Sequence, residues 1–133
     1  GIMELSLDGT MAQQFAPFQG GNDALEPGPT SMAASCSTLY ALSIDHALWG
    51  IDLKTKAQTA LVTGLEGDLW GVAVDEKFVY VNRANAGGVT RISRSTLAVD
   101  KFGDGSNVFT MAVDAQYVYF DDHSTGAIKR IIK

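Results

Sequence analysis

The sequence predicts an all-β chain of β-propeller blades: four-stranded antiparallel sheets, about three repeats of 39–40 residues, forming an incomplete ring or half of one. Three observations predict it. An internal repeat aligns without gaps. Each repeat breaks into short β-branched and aromatic runs cut by Asp, Asn and Gly. No stretch carries a sustained helical period with caps.

The repeat is clearest at Ser31 to Tyr40, Gly71 to Tyr80 and Thr110 to Tyr119, where Tyr40, Tyr80 and Tyr119 share one position and Ala33, Ala73 and Ala112 another. A second element follows each tyrosine. Gly88-Val89-Thr90-Arg91-Ile92 matches Ala127-Ile128-Lys129-Arg130-Ile131, with Leu48 to Leu53 a looser copy. In the middle repeat the four strands read as a from Trp70 to Val74, b from Phe78 to Asn82, c from Gly88 to Ser93 and d from Leu97 to Phe102. Strands a and b are nearly continuous apolar runs, which suits a sheet covered on both faces. Asp75 and Asp114 close strand a, with Ser35 in their place in the first repeat. All three are expected to accept hydrogen bonds from turn amides.

Residues 1–7 copy strand c, with Asp8-Gly9 as a turn, and Lys133 again lies in strand c. The expected division is residues 1–30 as strands c and d of a partial blade, 31–69 and 70–107 as blades, and 108–133 as strands a to c of another partial blade. Three repeats fall short of the roughly 4–8 blades of a closed ring, and an open sheet invites association. The expected partners are therefore further blades, from the same or another chain, or a second copy making a homodimer ring of about six. A start at Gly1, mid-blade and without an initiator methionine, favours the first.

Composition narrows the function classes. With 46% hydrophobic and 19% charged residues the 133-residue chain can build a core, and disorder is not expected. A net charge of -5 and a pI near 4.8 argue against a nucleic-acid partner. No apolar run is long enough to span a bilayer, and Gly1-Ile2-Met3-Glu4-Leu5 lacks the basic start and apolar core of a signal peptide. The single cysteine, Cys36, reads as a small residue near a turn.

Val118-Tyr119-Phe120-Asp121-Asp122-His123-Ser124-Thr125-Gly126-Ala127-Ile128-Lys129-Arg130-Ile131 resembles the YWTD-type propeller repeat, and Leu5-Ser6-Leu7-Asp8-Gly9 looks like the end of the same repeat. Tyr40-Ala41-Leu42 and Tyr80-Val81-Asn82 keep only its tyrosine. The resemblance covers nearly the whole chain. It implies a propeller and, by likeness to bacterial repeats of this type, a secreted or periplasmic location.

In a propeller the b–c and d–a loops open on one face around the channel. The b–c loops hold Asp45 and His46, then Asn82, Arg83 and Asn85, then Asp121, Asp122 and His123. His46, Asp121, Asp122 and His123 have the donor chemistry for a metal or acid–base site, against the plainer reading of solvated hairpin tips. Trp70 and Phe109 share the position at the entry to strand a, with Thr30 the third copy. They read as packing between blades or as a stacking platform for a sugar. The longest d–a loop, Gly20 to Pro29, is the expected specificity loop. Gly103 to Asn107 suggests a calcium loop but lacks regularly spaced oxygen ligands and the distal Glu, so it reads as a turn.

The leading expectation is a non-catalytic binding module for a protein or carbohydrate, calling for no cofactor. The alternatives are a propeller enzyme of the lyase or lactonase type, with a metal or histidine near the channel, and a structural assembly component.

Overall fold

The computed structural model describes residues 1–20, 28–85, 87–103 and 107–133. The strands are β1 (Ile2–Leu5), β2 (Ala12–Ala16), β3 (Ser31–Ala34), β4 (Thr38–Ser43), β5 (Ala47–Asp52), β6 (Gln58–Val62), β7 (Val72–Val74), β8 (Phe78–Asn82), β9 (Val89–Ser93), β10 (Val99–Gly103), β11 (Met111–Val113), β12 (Tyr117–Asp122) and β13 (Ala127–Ile132). They form four antiparallel meanders. An N-terminal hairpin, β1–β2, precedes a first blade, β3 to β6, and a second, β7 to β10. A third blade has the strands β11 to β13. In chain order the sheets hold two, four, four and three strands, and among the described residues the blades form no closed ring.

The blade boundaries follow from turn chemistry. Asp75 Oδ1 accepts from the amides of Lys77 and Phe78, both at 2.8 Å. Asp114 Oδ1 does the same for Gln116 and Tyr117, both at 2.7 Å. Each carboxylate thereby fixes the tight a–b turn that sends strand b back along strand a. Ser35 departs from the expectation. Its hydroxyl donates to the Thr38 carbonyl at 3.4 Å rather than accepting from turn amides, because its side chain is shorter and a hydroxyl can donate.

Strand a also starts later than predicted, at Val72 rather than Trp70. The amides of Trp70 and Gly71 are taken by Asn82 Oδ1, at 2.8 and 2.6 Å, and so leave the ladder. Asp121 Oδ1 captures the amides of Phe109 and Thr110 in the same way, at 2.9 and 2.8 Å. In the first blade Leu42 holds this position and offers no side-chain acceptor. There the ladder runs on, with the Thr30 amide on the Leu42 carbonyl at 2.9 Å and β3 starting at Ser31. Strand d begins at Val99, not Leu97, because Leu97 sits in the c–d turn with φ 59° and its amide on the Ser93 carbonyl.

The core lies in the joints between blades. Tyr40, Leu42 and Leu48 of the first blade pack against Val72, Val79, Val81 and Ile92 of the second. Tyr80 and Val89 of the second pack against Val118 and Phe120 of the third. Ile2 of the hairpin packs with Ala41 and Ile51. The inner strands approach closely. A Cβ on Gly71 would stand 2.7 Å from the Phe109 carbonyl oxygen, so glycine lets the second and third blades meet there. None of the helices that could cross a membrane is present among the described residues.

Candidate functional site

The antiparallel order puts the described b–c and d–a loop residues at one end of the blades, and hydrogen bonds knit the two kinds of loop together. The His46 carbonyl accepts from the Leu65 amide, and His46 Nδ1 lies 2.9 Å from the Gly67 carbonyl oxygen. The backbones of Asp68 and Ala84 pair as an isolated bridge. Asn85 Nδ2 donates to Asp68 Oδ2 at 2.5 Å, and the His123 amide donates to the Asn107 carbonyl. His46 and Asn85 adopt positive φ, 61° and 64°, a conformation more accessible to His and Asn than to most side chains.

Several of the residues singled out in the sequence hold this face together. Asn82 is fully buried. Besides capturing the Trp70 and Gly71 amides, its Nδ2 donates to the Val108 carbonyl of the next blade. Arg83 is nearly buried, with Nη1 3.4 Å from Glu66 Oε2 and its Nε without a partner. Asp45 accepts a hydrogen bond from the Ser43 hydroxyl, which in turn accepts from Trp49 Nε1 at 3.2 Å.

The Asp121-Asp122-His123 run divides. Strand residues alternate between faces, so the two aspartates cannot share a site. Asp122 is 2% exposed and accepts from Lys129 Nζ, the Ser124 amide and the Ser124 hydroxyl. The Lys129 contact first, then the Ser124 hydroxyl, keep its carboxyl well below the ordinary carboxylate range. Asp121 points the other way, toward the open face of the third blade. Its Oδ2 lies 2.8 Å from His123 Nε2, and the His123 ring packs at a tilt of 53° against Phe109 with centroids 4.6 Å apart. Burial opposes ionisation of Asp121. The Thr110 and Phe109 amides and the His123 ring outweigh it and hold the carboxyl below its usual value.

The structure therefore brings together Asp121, His123 and Phe109, while His46 is engaged by Gly67 on a different blade. Among the described residues no three His, Cys, Asp or Glu side chains are grouped to hold a metal. Trp70 and Phe109 remain 47% and 36% exposed, their amides fixed by Asn82 and Asp121. The acidic residues Glu66 and Asp68, which the sequence reading did not single out, complete the rim. The expected specificity loop and the glycine-rich turn after Gly103 fall mostly outside the described residues.

One substitution within the repeat changes the chemistry of the joint. The Thr30 hydroxyl donates to the Leu69 carbonyl of the second blade at 2.8 Å. Asn82 donates to the equivalent Val108 carbonyl of the third. Asp121, at the Asn82 position, is an ionised acceptor and has no proton to hand on.

No family model matches the sequence, and no curated protein does. Solved structures do match in shape. A chain of the nidogen/laminin complex superposes with a TM-score of 0.79 at 12% identity, over 96% of this chain and 49% of that one. The WD40 β-propeller domain of Doa1 gives 0.63 at 14% identity, over 80% of this chain and 38% of that one. An auxiliary nutrient binding protein from Bacteroides thetaiotaomicron gives 0.56 at 12%, over 80% and 30%. This chain thus spans about half of the first of these and less of the others.

The fold is accordingly β-propeller-like, an incomplete propeller of four-stranded antiparallel blades.

Proposed function

We propose that this chain belongs to a non-catalytic binding propeller that takes a protein or carbohydrate ligand on the face where the b–c and d–a loops meet. The observation that carries the reading is how the polar groups of that face are used. His46, Asn82, Arg83, Asn85 and Asp122 are committed to holding loops and strands, while Trp70 and the tilted Phe109–His123 ring pair stand outward on fixed backbone. A rigid platform with exposed aromatic surface loses little entropy on binding. Asp45, Glu66, Asp68 and Asp121 make the rim acidic, so the ligand is neutral or cationic: a neutral sugar, or a neutral-to-basic stretch of protein. Likeness to binding propellers supports the reading by analogy of fold alone. The YWTD-type kinship and an exported location belong to the same proposal, resting on the Val118 to Ile131 motif.

Calorimetry against panels of neutral oligosaccharides and basic peptides tests it. Trp70→Ala and Phe109→Ala should each weaken binding about tenfold or more. Unchanged binding in both variants would defeat the proposal. So would turnover of a bound ligand that Asp121→Asn abolishes, which favours an enzyme instead.

A further inference from the structure

The face opposite the loops carries a repeated charged contact between blades. At the end of strand c stands Arg94 in the second blade and Lys133 in the third. The same backbone bond places each: Arg94 N on the Lys77 carbonyl at 2.9 Å, and Lys133 N on the Gln116 carbonyl at 3.0 Å. Both side chains reach the preceding blade. Arg94 Nε donates to the Tyr40 hydroxyl oxygen at 2.9 Å and Nη2 to Ser35 Oγ at 3.1 Å, while Nη1 anchors on the carbonyls of Asp75 and Glu76. Lys133 Nζ donates to Asp75 Oδ2 at 2.7 Å and anchors on the Asp114 carbonyl at 2.8 Å. These two joints are thus latched by a cation of the later blade on the a–b turn of the earlier one, and in the joint between the first and second blades on its tyrosine too.

The third blade presents the receiving half of this latch. Asp114 Oδ2 accepts the Tyr119 hydroxyl at 2.9 Å, as Asp75 Oδ2 accepts that of Tyr80 at 3.0 Å. Among the described residues no cation bonds the Asp114 carboxylate directly. The surface beside it copies the covered face of the second blade. Ile128 stands where Val89 does but is 83% exposed against 0%, and Ile132 is exposed too. Arg130 lies 4.5 Å over the Tyr117 ring, as Arg91 lies 4.6 Å over Phe78.

We propose that this open face of the third blade is the docking surface for one further blade of the same repeat, whose strand c ends in a lysine or arginine that bonds the Asp114 carboxylate. The argument is continuity with two joints already formed, together with the charge the receiving carboxylate calls for. A second copy of this chain does not fit. Continuing the ring, it would present its N-terminal hairpin. There Ser6, bonded to the Met11 carbonyl as Ser93 is to that of Ala98, puts Leu7 at the Arg94 position. An alkyl side chain cannot serve the carboxylate. The inference concerns the opposite face from the proposed ligand platform and stands independently of it.

A chain extended by one repeat tests it: residues 95–133 repeated directly after Lys133, which keeps the register. The added blade should raise the thermal midpoint by about 5 °C or more. Asp114→Asn should lower the midpoint of the extended chain while leaving the original chain within about 1–2 °C. Replacing the added copy of the terminal lysine with methionine should match that loss and not add to it. An extended chain that is no more stable or misfolds, or an Asp114→Asn effect equal in both chains, overturns the proposal. Sedimentation of the original chain gives an independent check. A monomer is expected, and a tight dimer broken by Ile128→Asp would assign the face to a second copy and overturn it.

Discussion

The second and third blades are built from nearly the same repeat, yet one is a core and the other a surface. Along β9 both faces are covered, whereas along β13 burial alternates residue by residue. Arg91 and Arg130 make the same kind of contact with an aromatic ring, and Tyr80 and Tyr119 bond equivalent aspartates, Asp75 and Asp114. What differs is the neighbour. In this fold burial is conferred by the next blade, so equivalent residues carry unequal weight. That inequality is measurable.

The largest difference is expected at the apolar position of strand c. Leu48→Ala, fully buried in the first joint, should cost about 2–5 kcal/mol in urea unfolding. Ile128→Ala, its counterpart in the third blade, should stay within about 0.5 kcal/mol. Equal losses would mean that the third blade is covered in solution. Next comes the close approach of strands a. Gly71→Ala should cost about 1–3 kcal/mol, because its Cβ meets backbone oxygen. The third blade already carries Thr110 at that position, and Thr110→Ala should be nearly neutral by the same measurement.

The aspartates give a comparison in pH. Burial pushes the Asp75 carboxyl up, but Lys133, the Phe78 and Lys77 amides and the Tyr80 hydroxyl outweigh it and hold it at about 2, against an ordinary 3.8. A depressed carboxyl stabilises the fold above its unfolded value and loses that contribution as pH falls. The loss attributable to Asp75 should therefore run from about pH 4 down to about pH 2. Asp75→Asn should cost about 1.5 kcal/mol at neutral pH and flatten this part of the acid-unfolding profile. Asp114→Asn should flatten it less, since among the described residues no cation bonds that carboxylate. The smallest contrast lies in the tyrosines. Tyr80→Phe should cost about 1 kcal/mol, and Tyr119→Phe only a few tenths, both read as shifts in urea midpoint at constant m.

Strand order was legible because Tyr40, Tyr80 and Tyr119 keep their spacing. The turn role of Asp75 and Asp114 was legible because a carboxylate two and three residues before free amides has one natural use. Asp121 and His123 were found as candidates, but their separation from Asp122 needed strand alternation, a signal present in the sequence and left unapplied. The latch was not legible. Leu53, Arg94 and Lys133 share a position without sharing chemistry, so alignment does not mark it, and its acceptors lie 54–59 residues away from Arg94 and 58 from Lys133. The late start of strand a was hidden for a similar reason. It depends on whether Leu42, Asn82 or Asp121 stands opposite, on another strand.

The reach of the latch also sets a timetable for folding. Tyr40 waits for a guanidinium made 54 residues later, and Asp75 for an ammonium made 58 residues later. On a growing chain the first two blades are therefore made before their locks exist, and each can be locked only when strand c of its successor has emerged. The most recently made blade is therefore expected to be the least protected from exchange and proteolysis, with the order of stabilisation running with the order of synthesis.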